Sequence, residues 1–95
     1  MVQRHRVRCI VRLDQGDSPA RIVAIGGLNL NNTRWRVSVA EAIAGIEAQQ
    51  WAFYVIIHGR QVDLVVDERD GQRYLKARND GAEPLHLLRL PDCPV

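Results

Sequence analysis

The chain has 95 residues, 46% of them hydrophobic and 25% charged, with a net charge of +2 at neutral pH. That is room for a single domain, residues 1–95, and one core, and it excludes a disordered chain. With 7 Gly and 4 Pro a collagen-like or low-complexity class is excluded too. The longest apolar run, Trp51 to Ile57, falls well short of the ~18 residues of a membrane span, so no membrane partner is expected.

Residues 4–13 alternate. Arg4, Arg6, Arg8 and Arg12 point one way, and His5, Val7, Cys9, Val11 and Leu13 the other. Ile10 is the one apolar residue on the basic side. Period two over this length predicts a strand. Asp14 to Pro19 reads as a loop, and Ile22 to Ile25 as a buried strand closed by Gly26-Gly27. Asn29 to Asn32 reads as a turn, because Asn tolerates left-handed backbone, and Thr33 to Val37 as a short extended stretch.

Ser38-Val39-Ala40-Glu41 is a capping box, in which Ser38 accepts from the Glu41 N–H and the Glu41 carboxylate reaches back. Val39, Ile43 and Ile46 follow at i, i+4 and i+7, so a helix is expected at about 39–49. Gly45 weakens that helix by about 1 kcal/mol relative to Ala, which leaves it dependent on packing against a sheet.

Trp51 to Ile57, Val62 to Glu68 and Gln72 to Arg78 read as three strands. His58-Gly59 and Asp70-Gly71 join them as two-residue turns, and Asp-Gly suits the positive φ of a type I′ turn. The turns set Val55 against Val62, Phe53 against Leu64, Trp51 against Val66, Val66 against Leu75, and Leu64 against Ala77. Both hairpins put Leu64 and Val66 on one apolar face, and a one-residue slip would invert every side chain. The opposite face pairs Tyr54 with Asp63, Asp63 with Arg78, Val65 with Lys76 and Asp67 with Tyr74. Asp63–Arg78 is an expected ion pair worth about 0.2–1 kcal/mol. A polar loop, Asn79 to Pro84, then leads to an apolar tail, Leu85 to Pro91.

Asp63 and Asp67 lie four residues apart on one strand face, about 13 Å, too far for a two-carboxylate mechanism. His5, His58 and His86 have no metal-ligand spacing, so no metal and no cofactor are expected. Gly26-Gly27 lacks the rest of a phosphate loop and reads as a close turn needing glycine's backbone freedom. Cys9 and Cys93 are the only cysteines, without a C-x-x-C motif. A disulfide between them is open to the sequence. The N-terminus has no apolar signal region, however, and a cytoplasmic protein with two free thiols is the expectation.

Two surfaces stand out. Arg4, Arg6, Arg8 and Arg12 bring four cations and no acid into the first twelve residues. Together with Arg34, Trp35 and Arg36 they are what a groove tracking a phosphate backbone would use. The bland alternative is arginines paired with neighbouring acids. Tyr54, Ile56, Tyr74 and Val65 lie on a face too apolar to be purely solvated, which is either covered by other strands or the tail, or is a partner surface.

The chain resembles the small bacterial domain-of-unknown-function family 3892. Gly26-Gly27, Trp35, Ser38 with Glu41-Ala42-Ile43, Ile46-Glu47, Tyr54, Tyr74-Leu75 and Asp80 carry the resemblance. So does the ending Leu87-Leu88-x-Leu90-Pro91-x-Cys93, the most specific part. The family often has asparagines just before Leu87, where this chain has Leu85-His86. The resemblance implies a small bacterial α+β domain and no particular activity.

The expected fold is α+β, a mainly antiparallel sheet of about five strands with one helix on one face. The expected function is a non-catalytic cytoplasmic binding or accessory module. Its partner surface would be Tyr54, Ile56 and Tyr74 or the tail residues Leu90, Pro91 and Cys93, and self-contact there would make a homodimer. The alternatives are nucleic-acid binding through the arginine strand, and a thiol enzyme using Cys93, with His86 as its base.

Overall fold

The structure, a computed structural model, describes residues 2–15, 18–81 and 85–94. Seven strands and one main helix form an α+β fold. The strands are β1 (Gln3–Arg6), β2 (Cys9–Gln15), β3 (Ser18–Leu28), β4 (Arg34–Ser38), β5 (Trp51–Ile57), β6 (Arg60–Arg69) and β7 (Gln72–Ala77). Helix α1 (Val39–Glu47) joins β4 to β5, and a short α2 (Leu85–Leu88) follows β7. The expected single sheet of about five strands is replaced by two sheets, ordered β1-β5-β6-β7 and β2-β3-β4. The first is antiparallel except where β1 runs parallel to β5.

The divergence from expectation starts at Val7-Arg8. The Val7 N–H still bonds to the Tyr54 carbonyl, in line with β1, while the Arg8 N–H bonds to the Gly26 carbonyl of β3. The chain therefore leaves one sheet and enters the other within two residues. Both segments are extended, so hydrophobic alternation passes through the crossing with no break in period. The side chains change allegiance there. His5 and Val7 face the core before it, and Ile10 is fully buried after it. Ile10 on the basic side was the trace of this switch.

The other elements lie close to where the residues put them. Asp14 and Gln15 belong to β2 and Ser18 and Pro19 to β3, so the loop expected there is shorter; its remaining residues, 16 and 17, are outside the described ones. The Asn29–Asn32 turn closes with the Asn29 N–H bonded to the Thr33 carbonyl, and Asn32 takes φ 66°. The capping box of α1 is complete, with the Glu41 N–H donating to Ser38 Oγ at 3.0 Å. The helix stops at Glu47 rather than near 49. Gln49 turns left-handed at φ 59°, and the N–H groups of Gln49 and Gln50 bond back to Ile46 and Gly45. This is a Schellman closure with Gln where Gly is usual, which is why the sequence did not mark it. The Trp51 indole then lies on Gly45, where a Cβ would stand 2.2 Å from the ring.

Both hairpins have the expected register: Val55 opposes Val62, Leu64 opposes Ala77 and Val66 opposes Leu75. All four turn residues, His58, Gly59, Asp70 and Gly71, have positive φ, as type I′ requires. His58, an unusual residue for this position, takes φ 50°. The core lies between the sheets. Phe53, Val55, Leu64 and Leu75 come from one side, Ile10 and Ile25 from the other, with Ala42 and Ile43 of α1 and Leu87 of α2. Trp35, His5, Phe53 and Trp51 make a ring cluster with centroids 5.6–6.1 Å apart that bridges the two sheets. No helix among the described residues is long and apolar enough to cross a membrane.

Candidate functional site

The side of the four-stranded sheet that faces away from the core gathers residues from both of the surfaces singled out in the sequence. Strand alternation puts Arg4 and Arg6 of β1 on it, with Ala52, Tyr54 and Ile56 of β5. β6 adds Gln61, Asp63, Val65, Asp67 and Arg69, and Tyr74 and Lys76 come from β7. One row crosses the sheet: Arg6 beside Tyr54, Tyr54 beside Asp63, and Asp63 beside Arg78.

Two polar groupings organise this face. At one end, the Arg4 guanidinium lies 5.2 Å from the Tyr54 ring centroid and donates to Asp63 at 2.9 Å and Gln61 at 3.3 Å. Arg78 shares the same carboxylate at 3.7 Å, the ion pair expected from the register. At the other end, Lys76 Nζ pairs with Asp67 at 2.8 Å and donates to the Gly81 carbonyl at 3.0 Å. The Tyr74 hydroxyl donates to that same oxygen, Asp67 Oδ2, at 3.3 Å. Lys76 and the Glu68 N–H hold the Asp67 carboxyl below the usual carboxylate range. Partial burial and the Asp67 charge push the Tyr74 phenol up. The bond to Asp67 raises Lys76.

Tyr54 and Tyr74 do not form one patch. They are two strands and four residues apart, roughly 16 Å by strand geometry, with Val65 between them. The face as a whole carries five cations, Arg4, Arg6, Arg69, Lys76 and Arg78, against two carboxylates, Asp63 and Asp67. Its net charge of +3 exceeds the +2 of the whole chain.

The six arginines are not one surface. Arg4 and Arg6 lie on the outer face just described, and Arg8 is exposed at the crossing between sheets. Arg12 pairs with Asp92 at 3.2 Å. Arg34 and Arg36 are exposed on β4, the edge of the other sheet.

The tail also differs from expectation. Cys9 and Cys93 form a disulfide across 84 residues, so the free-thiol expectation is corrected. The sulfur that a Cys93 enzyme would use is bonded, and His86 turns its Nδ1 to the Asp80 carboxylate rather than to Cys93. The Asp80 side chain is only 2% exposed and also accepts from the Ala77 N–H at 3.2 Å and the His86 N–H at 3.4 Å. The Asp80–His86 pair thereby ties the end of β7 to α2, at the position where the sequence departs from the pattern it resembles. Leu90 packs against the core, and the Ile10 N–H bonds to the Pro91 carbonyl. As a partner surface, Leu90 and Cys93 are thus already occupied by the chain itself.

Gly26 and Gly27 are not a turn. They lie inside β3 without positive φ, and what they supply is space. A Cβ on Gly26 would stand 2.9 Å from both disulfide sulfurs, and one on Gly27 would stand 2.4 Å from the Arg6 carbonyl oxygen. The sequence also left unremarked the exposed Leu28 and Leu30 at the β3–β4 hairpin. Among the described residues no three His, Cys, Asp or Glu side chains gather as a metal site would need.

No curated protein and no solved structure matches the chain. A family profile described as "Protein of unknown function (DUF3892)" matches residues 6–91, which include the glycine pair, the capping box, both hairpins and most of the tail. The chain belongs to the DUF3892 family.

Proposed function

We propose that the domain is a non-catalytic binding module that receives an anionic partner on the outer face of the four-stranded sheet. One observation carries the reading: a net +3 face on which half-buried Tyr54, Ile56, Val65 and Tyr74 lie among Arg4, Arg6, Arg69, Lys76 and Arg78. Three of those five cations are spoken for, since Arg4 and Arg78 share Asp63 and Lys76 holds Asp67. Among the described residues Arg6 and Arg69 make no ion pair and are left to a ligand, and Tyr54, whose ring carries Arg4, is the register partner of Arg6. A cation next to an aromatic ring on an open sheet suits a single-stranded nucleic acid, which offers both phosphate and a base to stack. Arg12, Arg34 and Arg36 have no part in it.

The test is a titration of the full chain with labelled single-stranded and duplex oligonucleotides at low and physiological salt, read by anisotropy and tryptophan fluorescence. The expected result is single-strand binding that weakens with salt, with R6A and R69A each lowering the slope by about 0.7. No binding to either probe at low salt overturns the anionic-partner reading. Sedimentation that shows a concentration-dependent dimer, lost in Y54A, would make a second copy of the chain the occupant instead.

A further inference from the structure

The C-terminal segment makes a single β-bridge to the edge of β2. Asp92 bridges in parallel to Ile10 on the free side of β2, with the Ile10 N–H bonded to the Pro91 carbonyl at 3.0 Å and the Cys93 N–H to the Ile10 carbonyl at 2.8 Å. Apart from the disulfide, the polar contacts of Pro91–Pro94 among the described residues are those two bonds to a single residue and the exposed Arg12–Asp92 pair. Pro91, Asp92 and Pro94 are exposed, while Leu87 and Leu90, which do pack on the core, lie before this segment. The two sulfurs rest on bare β3 backbone at Gly26, where a Cβ would meet both at 2.9 Å. Cys9 and Cys93 are half-buried rather than enclosed in the core.

We infer that the Cys9–Cys93 disulfide is a redox-responsive latch, and that its reduction by a dithiol releases Pro91–Pro94 and opens the edge of β2. A thiolate of the dithiol attacks one sulfur, the S–S bond breaks, and the other cysteine leaves as a thiolate that takes up a proton. The second thiol of the reductant then attacks the mixed disulfide and frees the remaining cysteine. The protein gains two electrons and two protons, and the dithiol becomes a disulfide. Release leaves the Ile10 N–H and C=O unpaired, an edge that an incoming extended segment can extend by strand addition. The core stays closed, because none of its side chains comes from Pro91–Pro94.

The experiment is amide hydrogen exchange on the full chain, air-oxidised and then reduced with dithiothreitol without denaturant. The Ile10 and Cys93 amides should exchange about tenfold faster or more after reduction, while those of Val7, Arg8 and Arg78, bonded elsewhere, stay within about twofold. C93S should show the reduced pattern at once and ignore dithiothreitol. Three outcomes overturn the latch. The disulfide resists dithiothreitol in the native protein. Ile10 and Cys93 keep their protection after reduction. Or protection is lost throughout, which makes the bond a staple of the whole fold.

Discussion

Within the four-stranded sheet, β5, β6 and β7 are consecutive in the chain and two-residue turns join them, whereas the three-stranded sheet, also consecutive as β2, β3 and β4, in addition receives the C-terminal segment at the edge of β2. The meander is specified locally: Gly59 and Gly71 with their neighbours set the turns, and the turns set the register. The other sheet depends on the crossing at Val7-Arg8, on Ile10 reaching the core, and on Cys9 meeting Cys93. The meander thus rests on short-range pairings, and the other sheet adds a few long-range ties to its own short-range ones.

That contrast is broken most severely at Ile10. Its side chain is fully buried in the core, and its backbone carries both hydrogen bonds to the tail. I10A removes three carbons from a closed core and should cost about 3–4 kcal/mol in denaturant unfolding. I56A, from the half-buried outer face of the meander, should cost much less, about 1 kcal/mol. Equal losses for the two would mean that the sheets are not held differently.

How much of this the sequence discloses follows the same division. Asp70-Gly71 and Ser38 to Glu41 carry their structure in adjacent residues, so the register, the ion pair Asp63–Arg78 and the helix start are legible. The crossing at Val7-Arg8 is not, because two strands in tandem alternate like one, and only the misplaced Ile10 hints at it. Cys9–Cys93 is beyond reach of spacing rules at that separation. The outer face was half legible: its members on β5–β7 follow from register, but Arg4 and Arg6 join them only through the parallel pairing of β1 with β5, which no local signal announces.

A smaller effect tests the local side. Gly71 has φ +79° and open space where a Cβ would go, so G71A costs only the left-handed backbone strain, about 1 kcal/mol. The hairpin should keep its register, with the Asp67–Tyr74 and Leu64–Ala77 contacts intact in nuclear Overhauser spectra. A register shift in G71A would show that the turn alone does not set the pairing.

The finest distinction lies within the outer face, between its two polar ends. Asp67 is depressed below its ordinary value of 3.8, chiefly by the hydrogen bond from Lys76. Its stabilising contribution is therefore complete above 3.8 and is lost as pH falls through the lower folded value. Lys76 is raised above 10.5 by the same bond, so its contribution is complete below 10.5 and fades as pH climbs through the higher folded value. Tyr74 is raised above 10.0, first by burial and then by the Asp67 charge, and it should remain a phenol where an unperturbed tyrosine already ionises. Tyrosinate absorbance across the alkaline range should then show a late-ionising component that moves back toward 10.0 in D67N and is absent in Y74F. A late component that ignores D67N would leave burial as its whole cause and Asp67 as a partner of Lys76 alone.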